Sequence, residues 1–69
     1  MPIITIQMLE GRSKKQKRNL IEKVTESVVE TLDAPPESVR IIINEMNPDH
    51  YGVGGLPVNE FRVKKITGN

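Results

Sequence analysis

The sequence has no cysteine and no tryptophan, a single histidine (His50), and only Tyr51 and Phe61 as phenyl-ring residues. Without cysteine there is neither a disulfide nor a thiol nucleophile. One histidine does not make a structural zinc site of the usual nitrogen and sulfur ligands. Two aromatic rings are too few for a base-stacking platform, and 10 Lys+Arg against 9 Asp+Glu leave no strongly basic surface, so nucleic acid is not an expected partner. No stretch is long and apolar enough to span a bilayer. Ile3, Ile4 and Ile6 form too short a run for a signal peptide, and no basic segment precedes them, which makes the cytoplasm the expected compartment.

What is present is one domain's worth of chain, residues 1–69, with material for only a thin core. Chains this small need a stabiliser, and with disulfides and metals set aside, self-association is the expected one.

Residues Pro2 to Leu9 are rich in β-branched side chains and end at Glu10-Gly11, which predicts a strand closed by a turn. Both alternate sets, Ile4/Ile6/Met8 and Ile3/Thr5/Leu9, are largely apolar, as in a strand covered on both faces. Ser13 is a helix N-cap, and Gln16 three positions later completes a capping box. Leu20, Ile21, Val24, Val28 and Leu32 recur at the spacing of one helical face, and the helix should stop near Asp33, before Pro35-Pro36. Val39 to Met46, with three consecutive isoleucines, predicts a second, buried strand. Strand, helix, strand gives an α/β fold built on a right-handed βαβ unit with parallel strands. Residues beyond Asn47, containing Tyr51-Gly52-Val53-Gly54-Gly55, predict a loop, a short hairpin and an extended tail over 56–69.

A two-stranded sheet with one helix leaves strand edges and an apolar face uncovered. Two chains pairing their strands into one four-stranded sheet, with further dimers packed on its other face, would solve this and predicts a closed assembly larger than a dimer.

Few groups can do chemistry. There is no Gly-rich phosphate loop, no set of metal ligands and no Ser/His/Asp constellation. Pro2 remains. Initiator methionine is removed efficiently before proline, which would leave Pro2 as a free secondary amine held by the sheet. An apolar site and nearby arginines would both lower its proton affinity, favouring the neutral amine that a general base requires. Taken alone, Pro2 is also compatible with an ordinary strand start, where proline is tolerated.

Arg40 lies near the start of the second strand, so parallel alignment places it at the same end of the sheet as Pro2, within one subunit or between neighbours. Arg12 lies beyond the opposite end of the first strand, roughly 25 Å from Pro2 at about 3.3 Å per residue, farther than an arginine reaches. Arg12 is either a solvated turn residue or serves a site on another subunit, to which antiparallel pairing of two first strands would deliver it. His50, alone in a polar loop, reads as solvated. Lys14, Lys15, Lys17 and Arg18 crowd the first helical turns, either as a solvated face or, with Arg12, as a field drawing dianions toward the site.

Pro2-Ile3, Leu9-Glu10-Gly11-Arg12-Ser13 with Gln16-Lys17, Asp33-Ala34-Pro35 with Ser38-Val39-Arg40, and Glu45-Met46 through His50-Tyr51-Gly52-Val53-Gly54-Gly55 closely resemble the 4-oxalocrotonate tautomerase family. The blocks run in order over most of the chain. The resemblance implies a homohexamer arranged as a trimer of βαβ dimers, no cofactor, and an isomerase acting on unsaturated 2-oxo or 2-hydroxy acids such as 2-hydroxymuconate. It implies Pro2 as the base that moves the proton, Arg40 on the carboxylate and carbonyl oxygen, and Arg12 from a neighbour on a distal carboxylate. Tyr51 and Leu9 would line the pocket.

Three departures bear on the transfer. The family's type member has phenylalanine where Tyr51 stands, the chain runs on from Leu56 to Asn69, and Met1, if retained, would make the Pro2 nitrogen a tertiary amide. Dehalogenases and hydratases of the same superfamily add a water-activating carboxylate, and Tyr51 to Gly55 offers none, which favours isomerisation. The alternatives that remain are a non-enzymatic oligomeric binding protein of the same fold or a dehalogenase- or hydratase-like relative.

Overall fold

The computed structural model describes residues 1–66. Two parallel strands, β1 (Ile3–Leu9) and β2 (Arg40–Met46), are joined through helix α1 (Lys14–Leu32). Their register pairs Ile3 with Arg40, Ile4 with Ile41, Ile6 with Ile43 and Leu9 with Met46. Paired residues in parallel strands share a face, so Ile4, Ile6, Ile41 and Ile43 lie together on one side, half-buried, with Glu45 on the same side accepting an ion pair from Lys17 of α1.

The capping box forms as the sequence predicts. Gln16 N donates to Ser13 Oγ at 3.1 Å and Ser13 N donates to Gln16 Oε1 at 3.0 Å, satisfying two amides that the helix start leaves open. The helix ends where Asp33 turns into the left-handed region at φ 54° and ψ 42°. A short 3-10 turn, Pro36–Ser38, then leads into β2; Ser38 Oγ donates to the Pro35 carbonyl at 2.8 Å.

After a second 3-10 turn (Pro48–His50), β3 (Gly52–Val53) and β4 (Leu56–Pro57) make the expected antiparallel hairpin. Its two-residue loop has positive φ at both Gly54 (59°) and Gly55 (88°), the backbone that tight hairpins need and that glycine supplies without strain. Beyond it the structure departs from the expected extended tail: Val58–Ile66 is a second helix, α2. No glycine or proline interrupts those residues, and Val58 and Phe61, three apart, give the helix an inner face. Val58 is only 4 % exposed. The end of the expected tail, residues 67–69, lies outside the described residues.

Among the described residues only Val39 and Val58 count as buried. The run Ile41–Ile43, expected to be wholly buried, is not so in the single chain: Ile42 is 47 % exposed, and Ile3 on the same open face 62 %. The radius of gyration is 16.2 Å, whereas a compact chain of this length would have about 11 Å. A chain so extended leaves much of its apolar surface uncovered. Among the described residues no helix is long and apolar enough to cross a membrane.

Candidate active site

The sheet carries the sequence-predicted residues to two separate places. At its N-terminal end, Arg40 N donates to the Pro2 carbonyl at 3.0 Å, extending the β1–β2 ladder by one step and fixing Pro2 beside Arg40. Pro2 is half-buried and Arg40 exposed. The Arg40 guanidinium folds back so that Nη1 donates to the carbonyl oxygen of Glu37 in the first 3-10 turn. That neutral acceptor is weaker than a carboxylate, so an anion at this end of the sheet can compete for the guanidinium.

At the other end, Glu10 N donates to the Met46 carbonyl at 2.9 Å and closes the ladder. Gly11 follows at φ 121°, a backbone that a side chain would strain, and swings Arg12 out ahead of the Ser13 cap. Leu9 and Arg12 line a groove of about 370 Å³ together with Met8, Glu10, Gly11 and Arg62. Nearby, Lys17 Nζ meets Glu45 Oε1 at 3.0 Å with both side chains about one-third exposed. This pair ties the first turns of α1 to the end of β2 and so steadies the turn carrying Arg12.

Sequence reasoning missed Arg62. Its only signal is a positive charge in a stretch that reads as tail, and the groove becomes visible only once α2 is seen to form and to bring Arg62 against the β1–α1 turn. Arg12 and Arg62 have no carboxylate partner among the described residues.

Tyr51 stands between the second 3-10 turn and the hairpin, gripped from both sides. Its amide donates to the Pro48 carbonyl at 3.2 Å, and its carbonyl accepts from Val58 N at 2.7 Å. The side chain is 44 % exposed, so the phenol is available to a ligand or to another subunit. His50 is exposed, as expected. Among the described residues no group of three or more His, Cys, Asp or Glu is placed to hold a metal ion.

One chain therefore brings Pro2 to Arg40 and Leu9 to Arg12 but does not join the two pairs. The seven residues of β1 span about 23 Å at about 3.3 Å per residue.

Residues 2–60 match the family described as tautomerase enzyme. The chain belongs to the tautomerase family. The 2-hydroxymuconate tautomerase of Bacillus subtilis is 56 % identical over 61 residues, covering 88 % of this chain and 98 % of that protein. Among solved structures, a 4-oxalocrotonate tautomerase isozyme from Methylibium petroleiphilum superposes with a TM-score of 0.84 at 44 % identity, covering 91 % of this chain and 98 % of the other. A heterohexameric 4-oxalocrotonate tautomerase from Chloroflexus aurantiacus gives 0.83 at 40 % identity, with 90 % and 100 % covered. The expected βαβ unit, the hairpin and the isomerase class all stand for this tautomerase. The alternative of a non-enzymatic binding protein gives way to the isomerase reading that led it.

Proposed function

We propose that this tautomerase moves a proton within an unsaturated 2-oxo or 2-hydroxy acid of the 2-hydroxymuconate type, without a cofactor, using the amino nitrogen of Pro2 once Met1 is removed. The observation that carries the reading is the fixed neighbourhood of Pro2 and Arg40, set by the amide-to-carbonyl bond at the head of the parallel ladder. The Pro2 nitrogen takes the proton from the 2-hydroxyl group, the electron pair shifts along the conjugated chain, and the same proton returns to a distal carbon as the ketone forms. Arg40 leaves the Glu37 carbonyl to bind the carboxylate and the C2 oxygen, where negative charge develops in the dienolate. Tyr51, and Leu9 of a neighbouring chain, supply the wall that keeps water from the reacting carbon.

Arg12 reaches this site from a neighbouring chain. Both strands have an unpaired edge, and antiparallel pairing of two β1 strands sets Pro2 of one chain against the Leu9–Arg12 end of the other. Each dimer then has a four-stranded sheet, and three such dimers packed on their open apolar faces make a homohexamer that covers Ile3 and Ile42. The cytoplasm is the compartment that suits a chain without cysteine.

Intact-mass measurement and an enol–ketone assay on 2-hydroxymuconate and phenylenolpyruvate test this together. The expected result is a mass lacking Met1 and ketonisation well above buffer. No rate above buffer with either acid, from protein lacking Met1, would end the proposal.

A further inference from the structure

Tyr51 stands in a stretch of chain that does little to place it. Three of the four residues after it are glycines, Gly52, Gly54 and Gly55, which leave the backbone between Tyr51 and Leu56 free to take many paths. The hairpin there has only two residues in each strand, Gly52–Val53 and Leu56–Pro57, far short of what holds a hairpin alone. Helix α2 supplies the hold. It packs on the Pro48–His50 turn that precedes Tyr51 and on β3 and β4 that follow it. Val58, only 4 % exposed, is its inner anchor, and the Val58 amide donates to the Tyr51 carbonyl at 2.7 Å. Three residues on, the half-buried Phe61 ring lies over the hairpin loop, 3.6 Å from where a Cβ on Gly54 would be. Asn59, Glu60, Arg62, Val63 and Lys64 are exposed, which leaves Val58 and Phe61 as the packed side chains of α2 among the described residues.

We infer that Phe61 is a positioning residue for Tyr51: it seats α2 on the hairpin, and α2 so seated holds the Tyr51 backbone through the Val58 amide. The two halves depend on each other. A helix of nine residues is too short to persist in water by propensity, where about 12–15 are needed, and the hairpin is too short to fold without the helix. Val58 fixes where α2 begins. Phe61 fixes its direction, because a second contact three residues on stops the helix from swinging about the first. With Phe61 cut back, the Val58 N–H no longer points steadily at the Tyr51 carbonyl, and the glycines return to the loop the freedom that the helix had removed. The phenol then moves with its backbone. Phe61 acts on the reaction only through Tyr51.

This inference rests on the reading of Tyr51 as a wall of the site, and one arm of its test is independent of catalysis. The chain has no tryptophan and Tyr51 is its only tyrosine, so time-resolved fluorescence anisotropy follows that one phenol in the full chain. Phe61→Ala should raise the fast-decaying share of the anisotropy about twofold, and Phe61→Leu should restore most of the wild-type value. On a 2-hydroxy acid, Phe61→Ala should lower kcat/KM about tenfold, and the double variant Phe61→Ala with Tyr51→Ala should be no slower than Tyr51→Ala alone. An unchanged anisotropy, or losses that multiply in the double variant, would overturn the inference. Should Phe61→Ala fail to fold, Val58→Pro removes the amide that the Tyr51 carbonyl accepts from, at a first helical position where proline is tolerated. It should raise the same fast-decaying share, and no change would refute the inference. If the wild type proves inactive, the Pro2 reading fails, and the anisotropy arm still decides whether Phe61 holds Tyr51.

Discussion

The Arg40 amide donates to the Pro2 carbonyl at 3.0 Å, so the backbone holds the residue of the proposed base beside the residue of the proposed oxyanion binder. The Arg40 guanidinium itself rests on the Glu37 carbonyl, a neutral acceptor that a carboxylate can outcompete.

Arg40→Gln should therefore lower kcat by about 100- to 1000-fold, the usual cost of losing a donor aimed at developing negative charge. Arg40→Lys should recover only part, because an ammonium lacks the planar fork that holds a carboxylate and an adjacent oxygen together. Steady-state kinetics on a 2-hydroxy acid checks both. Equal kcat for Arg40→Gln and wild type would remove Arg40 from the mechanism.

Arg12→Ala should act on binding and discriminate by substrate. A lost charge-assisted hydrogen bond of about 1.5–3 kcal/mol corresponds to a rise in KM of about 10- to 100-fold for a diacid. Phenylenolpyruvate, with one carboxylate, should show little change. An equal penalty for both acids would mean that Arg12 holds the fold or the assembly in place of a distal carboxylate.

The end of α1 offers a stability test remote from the chemistry. Asp33 sits at φ 54° and ψ 42° and places a negative charge at the helix C-terminus. Asp33→Gly should stabilise the protein by about 0.5–1 kcal/mol, because it relieves the left-handed strain and the clash with the helix dipole together. Denaturant unfolding at fixed protein concentration is the measurement; destabilisation would show that the Asp33 side chain has a role no contact explains.

Ionic strength tests the basic start of α1. With no acidic residue in its first turn, Lys14, Lys15, Lys17 and Arg18 add to Arg12, although Lys17 is partly neutralised by Glu45. For a dianionic acid, kcat/KM should fall about threefold or more between low and physiological salt, where the screening length shortens to about 8 Å. A salt-independent value would return these lysines to an ordinary solvated face.

Much of this was legible in the residues. Ser13 and Gln16 announce the start of α1, the prolines after Ala34 announce its end, and the β-branched runs at Ile3 and Ile41 announce parallel strands whose direction puts Pro2 and Arg40 together. Helix α2 was not legible. Nine residues are too few to hold a helix by local propensity, and this one depends on Val58 and Phe61 packing against a hairpin distant in any one-dimensional pattern. Arg62 was hidden for the same reason. The exposure of Ile42, against an expectation of burial, shows the converse limit: the apolar pattern records a face that the single chain leaves uncovered.

Subunit complementation asks most directly whether the site joins Pro2 of one chain to Arg12 of another. Pro2→Ala and Arg12→Ala chains, each assayed on a diacid, are mixed in equal amounts under dissociating conditions and reassembled. Random mixing leaves about a quarter of shared sites with both residues intact, so about a quarter of wild-type activity should return. Activity no greater than the average of the two parents, from a mixture shown by mass to contain hybrid assemblies, would contradict a site shared in this way.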